Sequence, residues 1–254
     1  MFYQYTKINI KKILEYKMDF FIGAMPHFVG QIANIAFFKI IIGGVARIQN
    51  WEINEVMLVF SFSTLIYGMH ALLFGNFRSL KRYLFTGQFE IMRIRPIHIV
   101  RHLMIVDFRS ESIEQIFLGS ILLVYSATQL TVEINFRNIL TALYFVACGA
   151  AVLGGLSLFS SSFLFFTQGA FTPINFISEL REYTKYPIEI FGKGLQFVFT
   201  WLIPIGYVSY YPSIFFLRNQ SNICLYSGLV ALTSLLLGYV VFNIGLRFYE
   251  GVSA

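Results

Sequence analysis

Residues 139–166 read ILTALYFVACGAAVLGGLSLFSSSFLFF, 28 consecutive positions without Asp, Glu, Lys or Arg. A membrane helix needs roughly 20 mostly apolar residues to match a hydrocarbon core of about 30 Å, so this stretch is long enough to cross a bilayer. Five further stretches of the same character lie at 20–44, 56–77, 113–130, 191–217 and 223–246. The third is the weakest, because Glu114 sits near its start and its uninterrupted apolar run, 116–127, is short. With 57% hydrophobic residues, 13% charged residues and a mean hydropathy of +0.67, a water-soluble fold has nowhere to hide six such runs. The expected fold is an all-α polytopic membrane protein, one domain over residues 1–254 with six transmembrane helices.

The cations set the expected orientation, because cytoplasmic loops are enriched in Lys and Arg. With the N-terminus inside, 15 of the 19 cations fall on one side. They are the lysines before the first span, the arginines and lysines between spans two and three, Arg181, Lys185 and Lys193 between spans four and five, and Arg247 after the sixth. Both termini are therefore expected in the cytoplasm, and the net charge of +6 reflects topology rather than a nucleic-acid partner. Residues 1–19 read as a basic amphipathic helix at the inner lipid surface, with Ile8, Ile10, Ile13, Leu14 and Met18 as its apolar contribution. A plain extension of the first span is the alternative. No small-residue cleavage pattern follows the first apolar run, so a cleavable signal peptide is not expected.

Several chemistries are absent from the sequence. It contains no GxxxxGK[ST] phosphate loop and no HExxH. His98 and His102 stand four apart but have Arg95 and Arg101 as neighbours, so no metal site is expected. Cys148 and Cys224 read as small packing residues. Gly155-Leu156-Ser157 begins a serine-protease-like pattern, but Leu158 stands where glycine is needed; Ser157, Ser160 and Ser161 read as helix-packing hydroxyls. No Asp or Glu lies in the apolar body of any expected span, which argues against an ion-coupled carrier without excluding one.

The segment between spans two and three, 78–112, is long for a simple connection. Within it Phe85, Phe89 and Met92 fall at i, i+4 and i+7, one apolar face of a helix, with Arg93 and Arg95 pointing elsewhere; Pro96 stops that helix or starts the next one. An apolar knob on the cytoplasmic side must bury itself in lipid headgroups or in a partner.

Here the sequence resembles the type-2 ATP-binding-cassette (ABC-2) exporter permeases. Gly87-Gln88-Phe89-Glu90-Ile91-Met92-Arg93-Ile94-Arg95-Pro96 is similar to one branch's Gly-x-hydrophobic-acidic-x-x-x-x-Arg-Pro signature. The run from Tyr183 to Phe191, with Ile203-Pro204 and Tyr210-Tyr211-Pro212, resembles that branch's fifth-span start and in-span prolines, and Gly245-Leu246-Arg247-Phe248-Tyr249-Glu250 its C-terminal Gly-Leu-x-x-Tyr-Glu. The Arg93-Ile94-Arg95 run departs from a more leucine-rich helix.

The resemblance implies a permease of the plasma membrane, bacterial in type, paired with a second copy or a related permease chain over a cytoplasmic ATPase dimer. ATP and Mg would be bound by that ATPase and no cofactor by this chain. The helix around Phe85 to Arg95 would be the coupling helix, with Phe85, Gly87, Phe89, Met92 and Pro96 shaping its docking face. Glu90, Arg93 and Arg95 would orient it by charge pairing.

Two polar stripes mark a candidate translocation pathway: His27, Gln31 and Asn34 on the first span, and Ser63, Tyr67 and His70 on the second. Their alternative role is hydrogen bonding between helices. The pairs Ala150 with Gly154, Ala151 with Gly155 and Ser234 with Gly238 allow close helix packing. Pro204 and Pro212 are expected to bend the fifth span or to leave a re-entrant outer segment. The expected function is export of an amphiphilic, lipid-like, drug-like or peptide substrate. The alternatives are an ion-coupled secondary transporter and a non-transporting membrane scaffold.

Overall fold

In the computed structural model, residues 11, 15, 17–44, 51–107, 110–167 and 171–249 are described. The expected interfacial helix over residues 1–19 lies outside them except for Lys11, Glu15 and the start of the first long helix. Eleven α-helices carry the described chain: α1 (Lys17–Gly44), α2 (Ile53–Phe74), α3 (Leu80–Phe85), α4 (Gln88–Arg93), α5 (Ile99–Ile105), α6 (Ser110–Gln129), α7 (Phe136–Phe166), α8 (Ile174–Thr184), α9 (Lys193–Phe197), α10 (Tyr210–Arg218) and α11 (Asn222–Arg247). Among the described residues, three helical stretches are long and apolar enough to cross a membrane: Ile53–Phe85, Phe136–Phe166 and Asn222–Arg247. By position the first, second, third, fourth and sixth expected spans fall on α1, α2, α6, α7 and α11, of which α1 and α6 are not among those three.

Small residues decide which of these helices lie closest. A Cβ added to Gly155 of α7 would overlap the Ser234 carbonyl of α11, and one added to Gly238 would overlap the carbonyl of Gly155. The glycines of two expected pairs, Ala151 with Gly155 and Ser234 with Gly238, thus meet across one interface, whereas Gly154 faces Phe74 of α2. A second close pair joins α2 to α6: a Cβ on Gly119 would stand 2.7 Å from the Leu65 Cα, and one on Gly68 2.8 Å from the Ile116 nitrogen. With lipid as apolar as leucine, such backbone approach is what dispersion forces reward.

The apolar interior has two parts. Phe60, Phe62, Ile66, Phe145 and Val152 occupy one, in the body of the bundle. Phe77, Leu80, Phe89, Leu103, Phe165 and Phe242 occupy the other, beneath the loop that follows α2.

The expected fifth span, 191–217, is not a continuous helix. It consists of α9, a π turn at Val198–Leu202, a 3-10 turn at Ile205–Tyr207 and α10. Pro204 breaks the chain between the two turns, with φ of −73° and ψ of 50°. Pro212 bends nothing: it stands in the first turn of α10, where its missing N–H has no helical acceptor to lose. Ser209 donates to the Thr184 carbonyl at 2.5 Å, and Phe216 lies 5.8 Å from Phe62. The segment therefore folds back against the bundle.

What runs along α2 in its place is α8 with the residues after it. Arg78 donates to Ser178. Farther back along α2, the Arg181 guanidinium lies 5.5 Å from the Tyr67 ring centre, and Ser63 Oγ is 2.8 Å from Thr184 Oγ1. At the opposite end, Trp51 Nε1 donates to Glu189 Oε2 at 2.5 Å. Residues 174–189 thus descend antiparallel to 51–78. Arg181 and Lys185 belong to this segment and not to a loop, and Lys193 follows Glu189 at the Trp51 end. The sequence hid this element because its apolar stripe, Ile174, Ile177, Leu180 and Thr184, is narrow and flanked by charge.

Candidate functional site

Between α2, α6, α7 and α8 lies a cavity of ≈ 260 Å³. From α2 and the 3-10 turn after it come Tyr67, His70, Phe74 and Arg78; α6 supplies Glu111 and Gln115, α7 supplies Ser157, and α8 supplies Ile174, Ile177, Ser178, Arg181 and Glu182. His70 Nε2 and Ser157 Oγ are 2.8 Å apart, a bond that joins α2 to α7 at the cavity wall. Glu182 is held by Lys185, whose Nζ lies 2.7 and 2.8 Å from the two carboxylate oxygens while its side chain is buried. Arg181 has the Tyr67 face as its neighbour and, among the described residues, no ion pair.

The stripe Ser63, Tyr67 and His70 faces this region. Besides the bonds already given, the Tyr67 hydroxyl reaches the Ile177 carbonyl at 3.5 Å. Partners on α7 and α8 satisfy these groups. On α1, Gln31 is buried, with its Oε1 unpaired among the described residues, and Asn34 is half-buried. The His27 side chain lies outside the described residues.

The loop after α2 departs from the expected single helix. Gly87, at φ of 71°, caps α4 and separates it from α3, a left-handed conformation that costs a non-glycine residue about 1 kcal/mol or more. The break turns Phe85, Phe89 and Met92 off one face. Phe89 is fully buried and Met92 nearly so, while Phe85 is 57% exposed. Phe89 lies 5.6 Å from Phe165 of α7, and Arg93 stands over the Tyr249 ring at 5.4 Å. The inner core claims Phe89, so it offers no contact area to a partner. Exposed instead are Ile91, Ile94, Arg95 and Pro96, with Ile94 at 82%, beside the Glu90–Arg93 pair at 3.3 Å.

Two further residues are buried in the loop: Asn76, which sequence reasoning missed, and His102, which it named only as half of a histidine pair without a metal site. Asn76 is buried and donates to the Leu103 and Asp107 carbonyls at 2.8 and 2.9 Å, tying α5 to the end of α2. His102 is buried in α5; burial first, and the charge of Arg95 second, hold its imidazole below the ordinary histidine value. His98 turns away from it to stack on Tyr239 of α11. Arg78, Arg181 and Gln115 also escaped the sequence reading. The signal for Arg181 was the amphipathic run 174–184 directly after the fourth span.

No curated protein and no solved structure matches the chain. The family model described as ABC-2 family transporter protein matches residues 28–253, nearly the whole chain that builds the bundle, the cavity and the loop, and the protein belongs to that family.

Proposed function

We propose that this chain is the membrane-spanning permease subunit of an ATP-driven exporter that moves an amphiphile outward, powered by a separate cytoplasmic ATPase dimer that binds ATP and Mg. The observation that carries the proposal, beside the family, is the two-sided loop 78–107. Its inner side is fixed to α7 and the end of α11 through Phe89, and its outer side presents Phe85, Ile91, Ile94 and Arg95. A segment anchored to helices on one side and apolar on the other suits the transfer of ATPase closure to those helices.

In this reading the chain crosses six times, with α1, α2, α6, α7 and α11 as five of the crossings and residues 174–218 between α7 and α11 supplying the other, and both termini are cytoplasmic. The cations before α1, in 78–109 and at Arg247 still favour that orientation. The outward side of α8 carries Asn175, Glu179 and Glu182, all exposed, and lipid does not tolerate such a face. A second permease, identical or related, would cover it and complete the pathway.

The test is mild-detergent purification from the native host with mass spectrometry of what copurifies. A stoichiometric ATPase that disappears in Ile94→Asp, while the permease itself accumulates normally, supports the proposal; a preparation free of ATPase in the unaltered chain defeats it. An ion-coupled carrier is the second reading, favoured by Glu182 and Lys185 beside the body of α2. Uptake into proteoliposomes driven by an ion gradient without nucleotide would establish it.

A further inference from the structure

Among the described residues, one cavity is small and almost wholly apolar, lined by Leu58, Phe62, Val124 and Phe216, and nothing about it selects a ligand beyond hydrocarbon. Another is the charged cavity beside α8, and its charges can be followed one at a time. Glu182 is neutralised by Lys185 through two short contacts. Glu111 is engaged in an interaction of its own. Arg78 binds the neutral Ser178 hydroxyl, and Arg181 rests on the Tyr67 ring; neither guanidinium has a carboxylate within ion-pair distance among the described residues. Two arginines and two carboxylates, Glu111 and Glu182, thus line one cavity, and among the described residues neither guanidinium is directly paired with either carboxylate. A half-buried arginine at this depth costs free energy that an anion would offset, and its planar donor fork suits oxyanions.

Size and walls narrow the class. At ≈ 260 Å³ the cavity lies just under the roughly 300–1,000 Å³ of sites that enclose a drug-sized ligand. It takes a headgroup and leaves a long tail outside. Phe74, Ile174 and Ile177 give it an apolar side against which the first methylenes of a tail can lie. Its exposed rim is formed by Arg78 and Glu182.

We infer that this cavity binds the oxyanionic headgroup of a single-tailed or lipid-like amphiphile, with Arg181 and Arg78 as the two anion-binding side chains and Tyr67 as the residue that positions Arg181. The inference rests on the transporter reading, whose substrate class it specifies. Binding, however, needs no ATPase, so the two can fail separately.

The experiment is equilibrium binding of radiolabelled dodecyl phosphate to the purified full chain in maltoside micelles. Saturable binding is expected, weakened about tenfold or more in Arg181→Gln and in Arg78→Gln, since each removes a charge-assisted contact. It should be only partly restored by Arg181→Lys, which keeps the charge and loses the fork, and unchanged in Arg82→Gln, an exposed arginine outside the cavity. Arg78 is exposed, so Arg78→Gln remains informative even if Arg181→Gln fails to accumulate. Wild-type binding by both Gln variants overturns the inference. So does equal competition by dodecyltrimethylammonium, which would mean that the tail alone is read, or by inorganic phosphate, which would mean a free-anion site. Absence of binding together with an intact copurifying ATPase removes this inference and leaves the exporter reading standing; binding without any ATPase does the reverse.

Discussion

Phe89 and Tyr249, far apart in the sequence, meet edge to face with ring centroids 5.1 Å apart and planes at 85°. Each belongs to one of the short motifs that carry the family resemblance, so two signatures far apart in sequence form a single contact. Phe165 completes the cluster, 5.6 Å from Phe89 and 5.8 Å from Tyr249, and itself packs on Phe242 of α11. The loop is therefore riveted to α7 and to the end of α11.

Phe89→Ala should destabilise the protein by about 3–5 kcal/mol, the usual cost of emptying a buried phenylalanine site. Thermal unfolding in detergent, together with proteolysis of 78–107, reads the effect. Ile94→Ala, at an 82% exposed position, should change neither. Equal stability of the two variants would refute the placement of Phe89.

Gly155→Ala should weaken the α7–α11 interface by roughly 1–3 kcal/mol, because the new Cβ meets the backbone carbonyl of Ser234, which cannot turn aside. Gly30→Ala, with nothing within 4 Å, should be neutral or mildly stabilising, since alanine is the better helix former. The comparison needs only melting temperatures in one detergent. A harmless Gly155→Ala would contradict the close approach.

Ser63→Cys with Thr184→Cys, in a chain whose Cys148 and Cys224 are replaced by alanine, should form a disulfide under mild oxidation. The two oxygens now stand 2.8 Å apart, which places the Cβ atoms in bridging range. Mass spectrometry of the linked peptides is the readout. If 191–217 were instead the helix beside α2, no link would form.

His102 gives a pH dependence. Its folded-state imidazole takes up a proton less readily than in the unfolded chain, so the stability it contributes is present above about pH 6.5 and is lost as pH falls from there through the lowered folded value. Thermal stability should drop more steeply between pH 7.5 and 5.5 in the wild type than in His102→Leu. Parallel curves would remove His102 as the cause.

Much of the fold was legible because length and apolarity suffice for it: α7 and α11 lie within a few residues of their expected limits. The 191–217 stretch is equally apolar, but composition cannot separate a spanning helix from a segment folded back on the bundle; of the two outcomes expected for its prolines, a bend or a broken segment, Pro204 breaks the helix and Pro212 does neither. The reverse error hid α8, whose charges suit a loop until Tyr67 and Ser63 are seen beside it. In the loop, i, i+4 and i+7 spacing assumed one unbroken helix, and a single left-handed glycine invalidated it. Arg181 could not be recognised as a cavity residue until its neighbours on α2 were known.

The two glycine-mediated approaches have a mechanical consequence. Helices touching backbone to backbone cannot slide without collision, so α7 with α11 forms one stiff plank and α2 with α6 another. A displacement delivered at Phe89 reaches the first plank directly through Phe165. Between the planks, beside the bond from His70 to Ser157, lies the charged chamber, so a movement of one plank against the other would reshape the walls of that chamber.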